Sequence, residues 1–220
     1  MLDRLIGTIA PHDCLDCGVE GNLLCQSCQI TTVSPKRSSC FLCNALTNDW
    51  WTCHRCRRQV NVAGVIIASH YEGTVKDLIR QLKYEHTVAA AAILGNLIAA
   101  RVPIGKFDLI TLVPVSSQRF RQRGYNQAQL IAKAVATRLK LPFVELLSRV
   151  GQVRQVGTNR RQRLEQMSGK MYTRRQWLIN DSRILVVDDV VTTGATLSEA
   201  GRVLKTAGAK KVWGAAAAKH

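Results

Sequence analysis

The chain has 220 residues, 46% of them hydrophobic, and carries 31 basic against 15 acidic side chains for a formal charge of +16. That length and apolar content support one sizeable core with a small appendage and exclude a disordered chain. The charge surplus selects anionic partners, either a polyphosphorylated small molecule or a nucleic-acid backbone.

Residues 1–11 (MLDRLIGTIAP) hold an acid at Asp3, a short apolar run and no small-residue cleavage site, so no secretory leader is read and a cytoplasmic protein is expected. The apolar stretch 88–100 (VAAAAILGNLIAA) is too short to cross a bilayer, which takes roughly 20 residues, and reads as a core helix. No membrane insertion is expected.

All eight cysteines precede residue 57 and fall into four C-x-x-C pairs: Cys14 and Cys17, Cys25 and Cys28, Cys40 and Cys43, Cys53 and Cys56. In a reducing compartment disulfides are disfavoured, and each pair places two thiolates on one turn at the spacing a tetrahedral Zn²⁺ needs. Two structural Cys₄ zinc sites are predicted over a redox dithiol or a disulfide framework, since four copies of one knuckle suit metal better than a single reactive pair. Which pairs share a metal stays open. His12 and His54 lie nearby, but the thiolates already complete two tetrahedra. A small double zinc-ribbon-like module over 1–59 is therefore expected ahead of a second domain over 60–220. Residues 1–60 hold six basic and five acidic side chains, so almost the whole charge surplus falls on the second domain.

From residue 60 onward short β-branched runs alternate with amphipathic stretches of helical length, the pattern of a mostly parallel sheet flanked by helices. A strand is predicted over 62–71, then a helix capped by Thr74 with Val75, Leu78, Ile79 and Leu82 on one face. A second helix ends near residue 100, and a strand over 108–113 leads into an arginine-rich loop. A helix over about 127–140 and a short strand over 142–147 follow. Between residues 149 and 175 apolar periodicity vanishes while eight basic residues and one acid accumulate, which reads as a mobile cationic loop. A strand over 183–189, a helix over 196–207 closed by Gly208, and a strand over 211–218 complete the chain.

The strand over 183–189 matters most. Its continuous ILVV run reads as a central strand buried on both faces, and in such sheets ligands gather where the strands end. Asp188 and Asp189 stand at that end. Two carboxylates there can accept the cis hydroxyls of a ribose and help to hold Mg²⁺. Thr192, Thr193, Gly194, Ala195 and Thr196 then form a turn into a helix, whose free amides and positive dipole end attract a phosphate.

This segment, ILVVDDVVTTGAT (184–196), resembles the phosphoribosyl pyrophosphate (PRPP) signature of type I phosphoribosyltransferases. The resemblance implies that Asp188 and Asp189 bind the ribose hydroxyls and that residues 192–196 bind the 5′-phosphate. It also implies a pyrophosphate-binding loop at Pro114, Val115, Ser116 and Ser117, with Arg119, Arg121 and Arg123 placed to neutralise the diphosphate. The stretch 149–175 takes the place of the flexible loop that closes over PRPP, with Arg160, Arg161 and Arg163 as its candidate catalytic cations. The succession of cysteine knuckles, YEGTVKDLIRQLKYEHT, VPVSSQRFRQRGYNQAQLIAKAV, RQVGTNRRQRLEQM and the PRPP motif is similar to the ComF/GntX family across nearly the whole chain. That family implies a bacterial protein linked to natural competence or to use of external DNA.

Two functions are expected to compete. One is a phosphoribosyltransferase acting on Mg²⁺·PRPP and an unidentified acceptor. The other is a non-catalytic PRPP or nucleotide sensor whose zinc module and basic face hold single-stranded DNA for the competence machinery, with Trp50, Trp51 and Trp177 as stacking platforms and Trp213 in the core. Because the chain ends at His220, no C-terminal hood is expected, and an acceptor pocket is expected from residues before Pro103. His70 and His86 receive no role, and the oligomeric state is left open.

Overall fold

The structure, a computed structural model, describes residues 12–31, 37–85, 87–149 and 171–220. A ribbon of β1 (His12–Asp13) against β2 (Glu20–Gly21) turns the first knuckle, and helix α1 (Gln26–Thr31) carries Cys28. A second knuckle folds back through an antiparallel bridge between Ser39 and Leu46, and a bridge between Trp51 and Gly64 leads onward.

The larger unit runs β3 (Val65–His70), α2 (Gly73–Tyr84), α3 (Ala89–Ala99), β4 (Leu109–Leu112), α4 (Ser117–Arg123), α5 (Gln127–Leu139), β5 (Leu147–Arg149), β6 (Met171–Thr173), β7 (Arg183–Val191), α6 (Ala195–Thr206) and β8 (Lys211–Lys219). Strands β3, β8, β7 and β4 lie side by side in that order, all parallel. Phe143 adds a parallel bridge to Ile110 beyond β4. The steps from β3 to β4 and from β4 to Phe143 run the same way across the sheet, so right-handed crossovers lay α2, α3 and α5 on one face. The step from β7 to β8 runs back and puts α6 on the other face.

The core follows from composition. Ile184 to Val187 of β7 are fully buried, as are Val212 to Trp213 and Ala215 to Ala218 of β8, which matches central strands covered on both sides. Valine, leucine and isoleucine at 75, 78, 79 and 82 form the buried stripe of α2. Where α3 crosses α5 the seam is small: a Cβ placed on Gly95 would lie 2.4 Å from the Cβ of Ala134. The backbones therefore approach closely, and Gly95 is required by space. Among the described residues no helix is long and apolar enough to cross a membrane.

Several features differ from the sequence reading: β6 falls within the stretch expected as a loop, and Thr74, expected as a cap, lies inside α2, whose N-cap is Glu72. The arginine-rich stretch after β4 is a helix, capped by Ser116, whose side chain accepts from the Arg119 amide at 3.4 Å, and closed by the left-handed Gly124. The strand expected over 142–147 is reduced to the Phe143 bridge. Leu146 turns aside to donate to the Thr111 hydroxyl at 3.1 Å, and the next three residues pair with β6 instead.

Candidate functional site

Since the strands are parallel, the carboxyl ends of β3, β4, β7 and β8 share one rim, and there a cleft of about 730 Å³ opens. Asp188 and Asp189 both line it. Their carboxylates are oriented locally: Asp188 Oδ1 accepts from the Asp189 amide at 2.9 Å, and Asp189 Oδ1 accepts from the Val190 amide at 2.7 Å. The other Asp189 oxygen meets the Lys83 ammonium at 2.8 Å, with each side chain 17% exposed. Burial, then the neighbouring Asp189 charge, pushes the Asp188 carboxyl well above the usual carboxylate range. A carboxyl in that condition gains from a cation or hydrogen-bond donors that favour its charged form. The donor set suits Mg²⁺, which takes one or two carboxylates and otherwise the oxygens of its ligand and water.

Next to the acids, Asp188 and Thr192 to Thr196 surround a small cradle of about 30 Å³ at the N-terminus of α6. Gly194 takes φ +74° as the N-cap and offers no side-chain cap to this twelve-residue helix, whose first turn borders the cradle. The Thr193 hydroxyl accepts from the Ala195 amide at 3.4 Å. Behind the turn lies the second cysteine knuckle: a Cβ on Gly194 would fall 2.2 Å from Cε2 of Phe41, which is 1% exposed.

On the β4 side, Pro114, Val115, Ser116 and Arg119 line the same cleft. Arg123 lines it too and donates to Gln127 Oε1 at 3.1 Å, whereas Arg121 does not reach it. Ser117 sits at the first residue of α4. The start of α5 is tied to this wall by Asn126, whose amide nitrogen donates to the Val113 carbonyl at 3.3 Å while its oxygen caps the Ala128 amide at 3.0 Å. Gln127 is 2% exposed, lines the cleft, and its Nε2 has no hydrogen-bond partner. A buried amide left without an acceptor costs free energy that a ligand oxygen would recover.

The expected acid pair, threonine turn and β4 loop thus meet at one cleft, while Arg160, Arg161 and Arg163 lie outside the described residues. Lys83, Tyr71, Gln127, Arg149 and His220 also line it and were given no role from sequence. Lys83 sits in the last turn of an amphipathic helix, where a basic residue ordinarily complements the helix dipole and faces water. Trp213 is fully buried and Trp50 nearly so, which leaves Trp51 and Trp177 exposed among the expected stacking residues.

The cysteines form two clusters in chain order: Cys14, Cys17, Cys25 and Cys28, then Cys40, Cys43, Cys53 and Cys56, each with its ligand atoms within 4.8 Å of one another. Sulfur separations of 3.8 Å (Cys17 to Cys25) and 3.6 Å (Cys43 to Cys53) are those of a tetrahedron with bonds of about 2.3 Å, the zinc–thiolate length. In the first cluster the amides of Cys17 and Cys25 draw the Cys14 thiol down to about 6. In the second, burial raises Cys40, but amides led by Cys43 and Cys53 outweigh it and bring it to about 6. Both sets fit a closed structural zinc site.

Residues 126–220 match the family described as Phosphoribosyl transferase domain. The chain is 25% identical to Competence protein ComFC of Streptococcus pneumoniae, over 90% of this chain and 84% of that protein. It is 29% identical to Competence protein F of Haemophilus influenzae, over 70% and 72% of the two chains. It is also 26% identical to DNA utilization protein YhgH of Escherichia coli, over 86% and 87%.

Proposed function

We propose, for a chain that belongs to the ComF family of phosphoribosyltransferase-like proteins, that the cleft binds Mg²⁺·PRPP and presents its C1 to an acceptor. The observation that carries this reading is the shared cleft of Asp188, Asp189 and the Thr192 to Thr196 cradle, faced by the cations Arg119, Arg123 and Arg149. In this reading the cradle amides hold the 5′-phosphate, and Asp188 and Asp189 accept from the ribose hydroxyls. The pyrophosphate lies toward α4, where Arg119 supplies charge and Gln127 Nε2 a donor. Mg²⁺ would be held beside Asp188 and Asp189 and would neutralise diphosphate charge.

Transfer breaks the bond between C1 and pyrophosphate as the acceptor's nucleophile bonds to C1 and gives up its proton. The chain's part is to hold the ring between two anchored phosphate groups so that charge at C1 develops beside fixed carboxylates. The names of the relatives support a role in natural competence or DNA utilisation, with the two Cys₄ clusters taking zinc. Calorimetric titration with Mg²⁺·PRPP tests the reading. One site per chain is expected, lost in the Asp188→Asn, Asp189→Asn double variant, and an unchanged isotherm in that variant would sink it.

A second reading rests on a separate feature. At the far end of β8 from the cleft, Lys211 Nζ lies 4.3 Å over the ring of Trp51, and Lys106 Nζ lies 5.7 Å over the same ring. An exposed tryptophan among lysines is a stacking and phosphate platform for single-stranded DNA. A mobility shift that weakens with salt and with Trp51→Ala supports this reading, and one indifferent to Trp51 rejects it.

A further inference from the structure

Beside the cleft, and sharing His220 with it, lies a second pocket of about 400 Å³ between the second cysteine knuckle and the ends of β3 and β8. Its walls come from both halves of the chain. Arg37, Ser39, Asn44 and Leu46 stand on the knuckle side, and His70, Lys219 and His220 on the sheet side. Among the described residues no acid lines it.

Lys219 is the unusual member. It is 8% exposed at the end of a central strand, and its ammonium donates to the neutral Asn44 Oδ1 at 2.6 Å. Among the described residues no carboxylate pairs with it. The charges nearest to it are the Cys40 and Cys43 thiolates of the knuckle, shared with a zinc ion in the Cys₄ reading, so the ammonium keeps attraction for an anion entering the pocket. Arg37 adds a second cation on the opposite wall, and a planar fork suited to two oxygens. At the junction with the cleft the rings of Tyr71 and His220 stack at 5.1 Å, offering an aromatic edge to a flat ligand.

We infer that this pocket is the acceptor subsite, that it takes a planar compound bearing an oxyanion such as a phosphate or carboxylate, and that the cysteine knuckle supplies its outer wall. The inference rests on the phosphoribosyl reading of the neighbouring cleft. It goes beyond the sequence expectation of an acceptor pocket built wholly before Pro103, because Lys219 and His220 line it too. It also gives the knuckle a direct part in ligand recognition.

The test is titration of deoxyadenosine monophosphate, deoxyadenosine and orthophosphate into the full zinc-containing chain saturated with Mg²⁺·PRPP. The monophosphate and orthophosphate should bind, and deoxyadenosine at least about tenfold more weakly, as expected for loss of charged hydrogen bonds. Arg37→Ala, a change at an exposed side chain, should weaken monophosphate binding about tenfold. Asn44→Asp should do the same by giving Lys219 an internal counter-charge. Equal binding of deoxyadenosine, absence of binding by the wild-type chain, or affinity unchanged in both variants would each overturn the assignment. If PRPP itself fails to bind while the monophosphate binds in an Arg37-dependent way, the cleft reading fails and the pocket stands.

Discussion

The ring of Phe41 rests against Gly194, so closely that a β-carbon on the glycine would come within 2.2 Å of it. Phe41 sits between Cys40 and Cys43, and Gly194 is the hinge of the threonine turn. The second cysteine knuckle therefore forms the floor of the cradle, and the two cannot be altered independently.

Gly194→Ala is expected to weaken Mg²⁺·PRPP binding by more than tenfold. The substitution adds a steric clash and places a side chain at φ +74°, a strain on the order of 1–3 kcal/mol. Adding Phe41→Leu, which trims the ring, should recover part of the affinity. Calorimetry on both variants checks this, and a Gly194→Ala protein with wild-type affinity refutes the floor.

Elemental analysis should give two zinc ions per chain. Cys43→Ser, in the knuckle that carries Phe41 and Asn44, is expected to lower PRPP affinity far more than Cys17→Ser. The first cluster meets the start of α2 instead, where Asp16 accepts from the Thr74 hydroxyl at 3.3 Å. Equal losses in the two variants would show that metal acts only on global stability.

Lys83→Met removes the partner of Asp189. With both side chains 17% exposed, the loss should fall between that of a surface pair and a fully buried one, about 1–2 kcal/mol. Added Mg²⁺ should restore part of it by taking the place of the ammonium. Chemical unfolding with and without Mg²⁺ measures both effects, and an unchanged midpoint in the variant contradicts the pair's role.

The raised Asp188 carboxyl sets a pH dependence. Above the ordinary carboxylate range the unfolded chain has lost this proton while the folded chain keeps it, so stability falls as pH rises from the unfolded value through the folded one. Binding of Mg²⁺·PRPP needs the carboxylate, so its affinity should rise over the same window, with a proton released on binding. Calorimetry in two buffers of different ionisation heat detects that proton. Asp188→Asn should abolish the release, and persistence of release in that variant assigns it elsewhere.

Much of the fold was legible because its strongest signals are local. The buried aliphatic run before Asp188, the stripe of α2 and the cysteine spacing each express one element's own periodicity or chemistry. What escaped depends on neighbours. Helix α4 (SQRFRQR) has no apolar face to announce it and is held by its Ser116 cap and the left-handed Gly124. Residues 142–147 look like one strand, yet beside β4 only Phe143 is bridged, since Leu146 bonds to a hydroxyl instead and Leu147 pairs with β6. Lys83 and Gln127 read as ordinary helix residues, and only tertiary packing turns them toward Asp189 and the cleft. The pairing of cysteines, which spacing left open, is settled by each cluster closing in chain order.

The contact between Phe41 and Gly194 also orders events during synthesis. The knuckle leaves the ribosome long before its seat does, with an aromatic ring that nothing yet covers, and domains emerging first generally fold first. Metal capture can shape the knuckle early, but the ring stays wet until β7 and α6 have emerged and set. A nascent chain stalled short of that turn would lack the glycine seat against which the ring packs in the finished fold.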